Sequence, residues 1–234
     1  LGDDLFFRVI ADRYPNVRFY LPTLNSDNKK IFSDIKNLKI VDFCGISKVT
    51  SHKTYMLPKL YSKLFMRRFD AVVCIGGSLF IDSKNPPAYH RREVENYSFI
   101  HDWEIAKRSG VPYFLLGANW GPCYNDYFFD NFNRAFDSIT DIYFRDNYSA
   151  DVFKDKSNVR HGGDILMGAS LIKKAVAGCQ KKKQIAISLI DVSSKNEFSG
   201  ASEQYTDAIV RLCRDFSSKG YEIILMSFCK SEGD

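Results

Sequence analysis

No stretch of this sequence approaches the roughly 18 to 20 consecutive apolar residues that a membrane-spanning helix requires, and no secretory signal is visible. The chain opens on Leu1 rather than Met, so the natural N-terminus is expected to lie upstream. Paired cysteines are missing too. Cys44, Cys74, Cys123, Cys179, Cys213 and Cys229 form no CxxC pair and no Cys/His cluster. That argues against a structural zinc site and reads as reduced thiols in a cytosolic protein, with Cys44, Cys74 and Cys229 acting as small hydrophobes in apolar runs. There is no GxGxxG and no Walker loop, and none of His52, His90, His101 and His161 belongs to an HExxH or a Ser/His/Asp arrangement. No internal repeat or low-complexity tract is present.

The formal charge of +5 is spread along the chain, apart from Lys181-Lys182-Lys183 and Arg67-Arg68. Nucleic acid would require a denser basic stripe, so no nucleic-acid partner is expected. Both basic clusters read as a solvated face or linker, or as a weak attraction for anionic ligands or an anionic membrane surface.

What is present is an alternation. The composition, 45% hydrophobic and 26% charged, suits a globular core. Short β-branched and aromatic runs at 17–22 and 38–43 predict strands, and 54–68 has helical spacing with Pro58 near its start. The apolar run 71–75 predicts a strand covered on both faces. A helix over 91–109 closed by Gly110 follows, then a buried strand within 111–121, a helix near 126–137, a strand at 141–147 leading to a short helix, and a last strand or turn at 158–168. After a lysine-rich segment the pattern restarts, with a strand at 185–191, a helix at 202–218 closed by Gly220 and a strand at 221–228. Strands alternating with helices mean βαβ units and a parallel sheet. The fold class is therefore α/β: a Rossmann-like parallel-sheet domain over 1–170, a linker over 171–184, and the opening βαβ of a second Rossmann-like domain over 185–234. A lone βαβ cannot cover both faces of its sheet, so the natural protein is expected to continue past Asp234.

In open α/β sheets ligands bind at the carboxyl ends of strands. Three such ends carry suggestive residues. Gly76-Gly77-Ser78 brings bare backbone close either to a ligand's phosphate or carboxylate or to a packed neighbour. Asn119-Trp120 offers a sugar-binding wall, or Trp120 caps the core. Arg145, followed by Asp146 and Ser149, offers a bidentate fork for an anion, or a salt bridge to Asp146 or another carboxylate. At the start of the chain, Gly2, Asp3 and Asp4 precede an apolar helix, with Asp3 or Asp4 as N-cap and backbone N–H groups turned to an anion. His161 stands at a strand–loop junction, either facing the cleft or on the surface, and His101-Asp102 reads as a polar helix face.

The ordered series GDDL, CIGGSLF, LGANWGP, YFRDNYSADVF and GGDILMG, then IAISLI and the closing LMSFCKSEGD, resembles the polysaccharide pyruvyl transferase family over nearly the whole chain. The resemblance implies a two-Rossmann architecture of the GT-B type, incomplete here. It implies transfer of pyruvate from phosphoenolpyruvate, as co-substrate, onto two hydroxyls of a sugar, forming a cyclic ketal and releasing phosphate, with no metal and no other cofactor. Arg145, the arginine of the RD..S stretch, would contact the donor together with Gly76, Gly77 and Ser78. Gly2, Asp3, Asp4, Asn119, Trp120, Asp146 and Ser149 would line the cleft or the acceptor site. The family's key histidine and a further arginine lie in its second domain and are expected beyond Asp234, so the chain alone is expected to be inactive. The implied acceptor belongs to a cell-surface polysaccharide or its lipid-linked precursor, which places the enzyme in the cytoplasm with peripheral contact at the inner membrane. Two other readings are a GT-B glycosyltransferase using a nucleotide-sugar donor and a non-catalytic sugar-binding relative.

Overall fold

The computed structural model describes residues 2–23, 31–42, 66–95, 98–168, 182–192 and 200–227. The chain divides into two compact units, Leu1–Lys174 and Ala175–Asp234.

The first unit opens with helix α1 (Gly2–Arg13) and a parallel pair of strands, β1 (Phe19–Thr23) and β2 (Leu38–Asp42). The expected helix at 54–68 falls almost wholly outside the described residues. The main sheet follows: β3 (Val72–Ile75), β4 (Tyr113–Ala118), β5 (Asp141–Phe144) and β6 (Val159–His161). All its pairs are parallel, and its four strands stand in chain order, β3-β4-β5-β6. Helices α2 (His90–Glu95) and α3 (Ser98–Ser109) cross from β3 to β4, within the single helix expected at 91–109. Helix α4 (Asp126–Ala135), continued by a 3-10 turn at Phe136–Ser138, crosses from β4 to β5. Helix α5 (Asn147–Val152) crosses from β5 to β6, and a 3-10 turn at Ile165–Gly168 ends the series.

Strands that advance one place at a time through right-handed crossovers put their helices on one face of the sheet. The burial follows that rule. In β5, Ile142 and Phe144 are buried while Asp141 and Tyr143 are half-buried. In β3, Val73 is 37% exposed. The 71–75 run is therefore not closed on both faces as expected; among the described residues β3 is an outer strand of its sheet.

The covered face is largely aromatic. Phe128, Phe132 and Phe136 on α4 and its 3-10 turn pack with Trp103, Trp120, Phe80, Phe144 and Phe153 over Leu115 and Ile142. Ring centroids lie 4.8 Å apart for Phe136 and Phe153 and 4.9 Å for Trp120 and Phe153, edge to face in both pairs, the arrangement that ring quadrupoles favour. Burial also pushes up the pKa of the Cys74 thiol, the Tyr113 hydroxyl and the Asp102 carboxyl. Asp102 is thus turned partly inward rather than standing on a fully polar helix face.

The second unit holds β7 (Gln184–Leu189) and β8 (Glu222–Ser227), a parallel pair joined through α6 (Ser202–Ser218). Ile187 and Val192 are buried, but no residue of α6 is, and Leu225 stays 55% exposed.

Candidate functional site

The residues that follow the four strands of the main sheet meet along its carboxyl edge. Ser78 follows β3, Asn119 follows β4, Arg145 follows β5 and Asp164 follows β6. Their side chains form a hydrogen-bonded row in the same order as the strands. The Ser78 hydroxyl donates to Asn119 Oδ1 at 3.3 Å, and Arg145 Nη2 donates to the same oxygen at 2.9 Å. Arg145 Nη1 reaches Asp164 Oδ2 at 3.4 Å. The Arg145 side chain keeps 29% of its surface open to solvent and the Asp164 side chain 34%. The row therefore joins a fixed cation to an amide, a hydroxyl and a carboxylate, all within reach of solvent.

Backbone pairing carries each residue there. Beyond the regular ladder, Asn119 N donates to Gly77 O at 3.3 Å, Arg145 N to Ala118 O at 3.0 Å and Gly162 N to Phe144 O at 3.0 Å. The β4–β5 register shifts between Leu116 and Ala118, around Gly117 at φ +73°. Such a bulge re-aims the side chain after it, here Asn119. A Cβ on Gly117 would also stand 2.8 Å from Ile165. At β6, Tyr143 occupies the space that a side chain on Gly162 would need. The Gly162-Gly163 pair lets the chain pass that ring and deliver Asp164 to Arg145.

The first glycine after β3 answers to packing first. A Cβ on Gly76 would lie 2.6 Å from Ala118 Cβ and 2.7 Å from its Cα, and Gly76 N already donates to Leu116 O at 2.7 Å. Gly76 is small because a neighbouring strand is close, and its N–H is committed to the sheet rather than offered to a phosphate. The Gly77 carbonyl accepts from both Leu79 N and Asn119 N. Of the three, Ser78 is the exposed one.

Arg145 pairs with Asp164 rather than with its neighbour Asp146, which turns the other way. Asp146 is the N-cap of α5, accepting the Ser149 N–H at 2.8 Å and the Ser149 hydroxyl at 2.8 Å. The Ser149 hydroxyl oxygen in turn accepts Trp120 N–H at 2.6 Å. Ser149 is fully buried and Trp120 is 4% exposed within the aromatic core. Burial takes Ser149 and Trp120 away from the cleft lining expected of them, while half-buried Asp146 is engaged as the helix cap; all three brace the chain that carries Asn119 and Arg145. The α1 helix already includes Gly2, so Asp3 and Asp4 stand in its first turn instead of at its N-cap; α1 packs against β3 and the 165–168 turn. His161 is exposed at the end of β6, and His90 Nδ1 lies 2.6 Å from the Tyr127 hydroxyl. His52 lies outside the described residues.

Two carboxylates escaped the sequence reading. Asp164 is the first, and its signal was a GGD triplet directly after a strand that supplies an arginine's neighbour. Asp82 is the second, buried to 3% exposure. It accepts N–H groups from Ser83, Tyr124 and Asn125, each at 2.8 Å, and the Asn125 side-chain amide at 3.0 Å. Asp82 thereby fixes the loop between Asn119 and α4; no local pattern announces such a role. Among the described residues, no group of three or more His, Cys, Asp and Glu side chains could hold a metal ion, and no helix is long and apolar enough to cross a membrane.

The family model described as polysaccharide pyruvyl transferase matches residues 1–234. No solved structure matches the chain.

Proposed function

The chain belongs to the polysaccharide pyruvyl transferase family, and on that premise we propose that it transfers pyruvate from phosphoenolpyruvate to two hydroxyls of a saccharide, in a polysaccharide or its lipid-linked precursor. In this reaction C3 of the donor gains a proton and becomes a methyl group. C2 forms bonds to both sugar oxygens, its bond to the phosphate oxygen breaks, and inorganic phosphate leaves with the second hydroxyl proton. The product is a cyclic ketal that keeps the pyruvate carboxylate.

The observation that carries this reading is the part-exposed Arg145 side chain, its guanidinium held at the carboxyl edge by Asn119 and Asp164. Phosphoenolpyruvate is anionic at both ends, and a planar guanidinium matches either its carboxylate or its phosphate with paired N–H donors. Arg145 is proposed as a donor contact, with Ser78 beside it. Asn119, whose Oδ1 is taken by Arg145 and Ser78, keeps its amide N–H groups for an acceptor hydroxyl or a donor oxygen. The second unit is read as the opening of a second Rossmann-like domain, as in a GT-B enzyme. A lipid-linked acceptor would bring the protein to the inner membrane face. No metal or further cofactor enters the proposed chemistry.

Calorimetric titration of phosphoenolpyruvate tests the proposal. Saturable binding is expected. Saturable binding of nucleoside diphosphates with none of phosphoenolpyruvate would overturn it in favour of a nucleotide-sugar glycosyltransferase.

A further inference from the structure

Asp164 has one oxygen committed and one shared. Its Oδ1 accepts the Leu166 N–H at 2.9 Å, which anchors the carboxylate on the 3-10 turn at Ile165–Gly168. Its Oδ2 faces Arg145 Nη1 at 3.4 Å, a longer contact than the 2.9 Å between Arg145 Nη2 and Asn119. The turn is itself held in place, since Ile165 packs into the space beside Gly117, where a Cβ would stand 2.8 Å away. The carboxylate is thus fixed by the fold and meets the arginine at a loose, part-solvated distance. An ion pair this exposed gains little net stability from its attraction. Its placement matters more for whatever else comes to Arg145.

We propose that Asp164 is the resident counter-ion of the Arg145 anion site: it positions the guanidinium while the site is empty and competes with the ligand's anion for it. The inference rests on the reading of Arg145 as a donor contact. Asp164 and Asn119 then act as opposed settings on one cation. Each accepts an N–H from a different terminal nitrogen of Arg145, but only Asp164 carries charge. A bound carboxylate or phosphate feels attraction from Arg145 and repulsion from Asp164 at close range. The repulsion keeps affinity below what the arginine alone would give and helps the phosphate product leave. A residue with only a structural role would have no such signed effect on anion affinity.

Two nearly isosteric changes test this, with phosphoenolpyruvate and inorganic phosphate as the titrated probes at low salt. In Asp164→Asn the side-chain oxygen still accepts from Leu166 N–H while the charge is gone, and both anions are expected to bind at least about threefold tighter, since a like charge within a few ångströms has been removed. In Asn119→Asp the oxygens still accept from Arg145 and Ser78 while a charge is added, and binding is expected to weaken at least about threefold. The gap between the variants should shrink as salt rises. Unchanged or weaker binding by Asp164→Asn, with the parent binding normally, overturns the inference and leaves the donor site standing. If Asp164→Asn does not fold, Asn119→Asp decides, and unchanged affinity there overturns it equally. Absence of anion binding by the parent removes the donor site, and the inference with it.

Discussion

The helix-covered face of the main sheet and its carboxyl edge are built from the same four strands and use opposite chemistry. On the face, Leu115, Ile142, Phe144 and the surrounding rings are nearly closed to solvent, and each residue is held by many weak contacts. Along the edge, Ser78, Asn119, Arg145 and Asp164 are held by a few directional bonds and remain open to solvent. The residues just beneath that edge, Trp120 and Ser149, belong to the face in burial and to the edge in purpose. The difference teaches where free energy is stored in this unit. The face holds the fold together, and the edge leaves its polar groups within reach of solvent, as the proposed donor site requires.

That contrast can be broken in graded steps. The largest effect should come from the face. Phe136→Ala removes a fully buried ring at the centre of the aromatic cluster and is expected to cost about 3–5 kcal/mol in a denaturation experiment. A smaller loss is expected at the join between face and edge. Gly76→Ala would press a methyl group against the Ala118 backbone and is expected to destabilise by about 1–3 kcal/mol. If Gly76→Ala unfolds at the same denaturant concentration as the parent, the strands are not as close there as described, and the packing account of Gly76 is wrong.

Much of this division was legible in the sequence. Apolar runs interrupted by helical spacing gave away β3 to β6 and the helices between them, because each strand buries a contiguous set of hydrophobes and each helix a stripe. Arg145 and Asn119 stood out because polar residues directly after buried strands have few purely structural duties. The direction each polar side chain takes was harder to see. Arg145 and Asp146 are adjacent, yet one reaches the edge and the other caps α5, since an extended N-cap backbone sends successive side chains to opposite sides. Trp120 follows Asn119 and goes under the sheet for the same kind of reason, with the bulge at Gly117 setting the phase. Asp164 could be placed beside Arg145 only once β5 and β6 were known to be neighbours. Asp82 serves a loop more than forty residues away in sequence, which no local pattern encodes.

The smallest expected effect on stability is paired with the largest on binding. Arg145→Ala is expected to change unfolding free energy by less than about 1 kcal/mol, the usual limit for a part-exposed ion pair. The same substitution is expected to weaken phosphoenolpyruvate binding at least about tenfold, equivalent to about 1.4 kcal/mol. Measuring both quantities on this one variant tests the central claim most directly. A protein as stable as its parent that has lost the anion would bear out an edge built for a ligand. A protein that unfolds easily yet binds phosphoenolpyruvate as before would make Arg145 a structural residue and contradict the account.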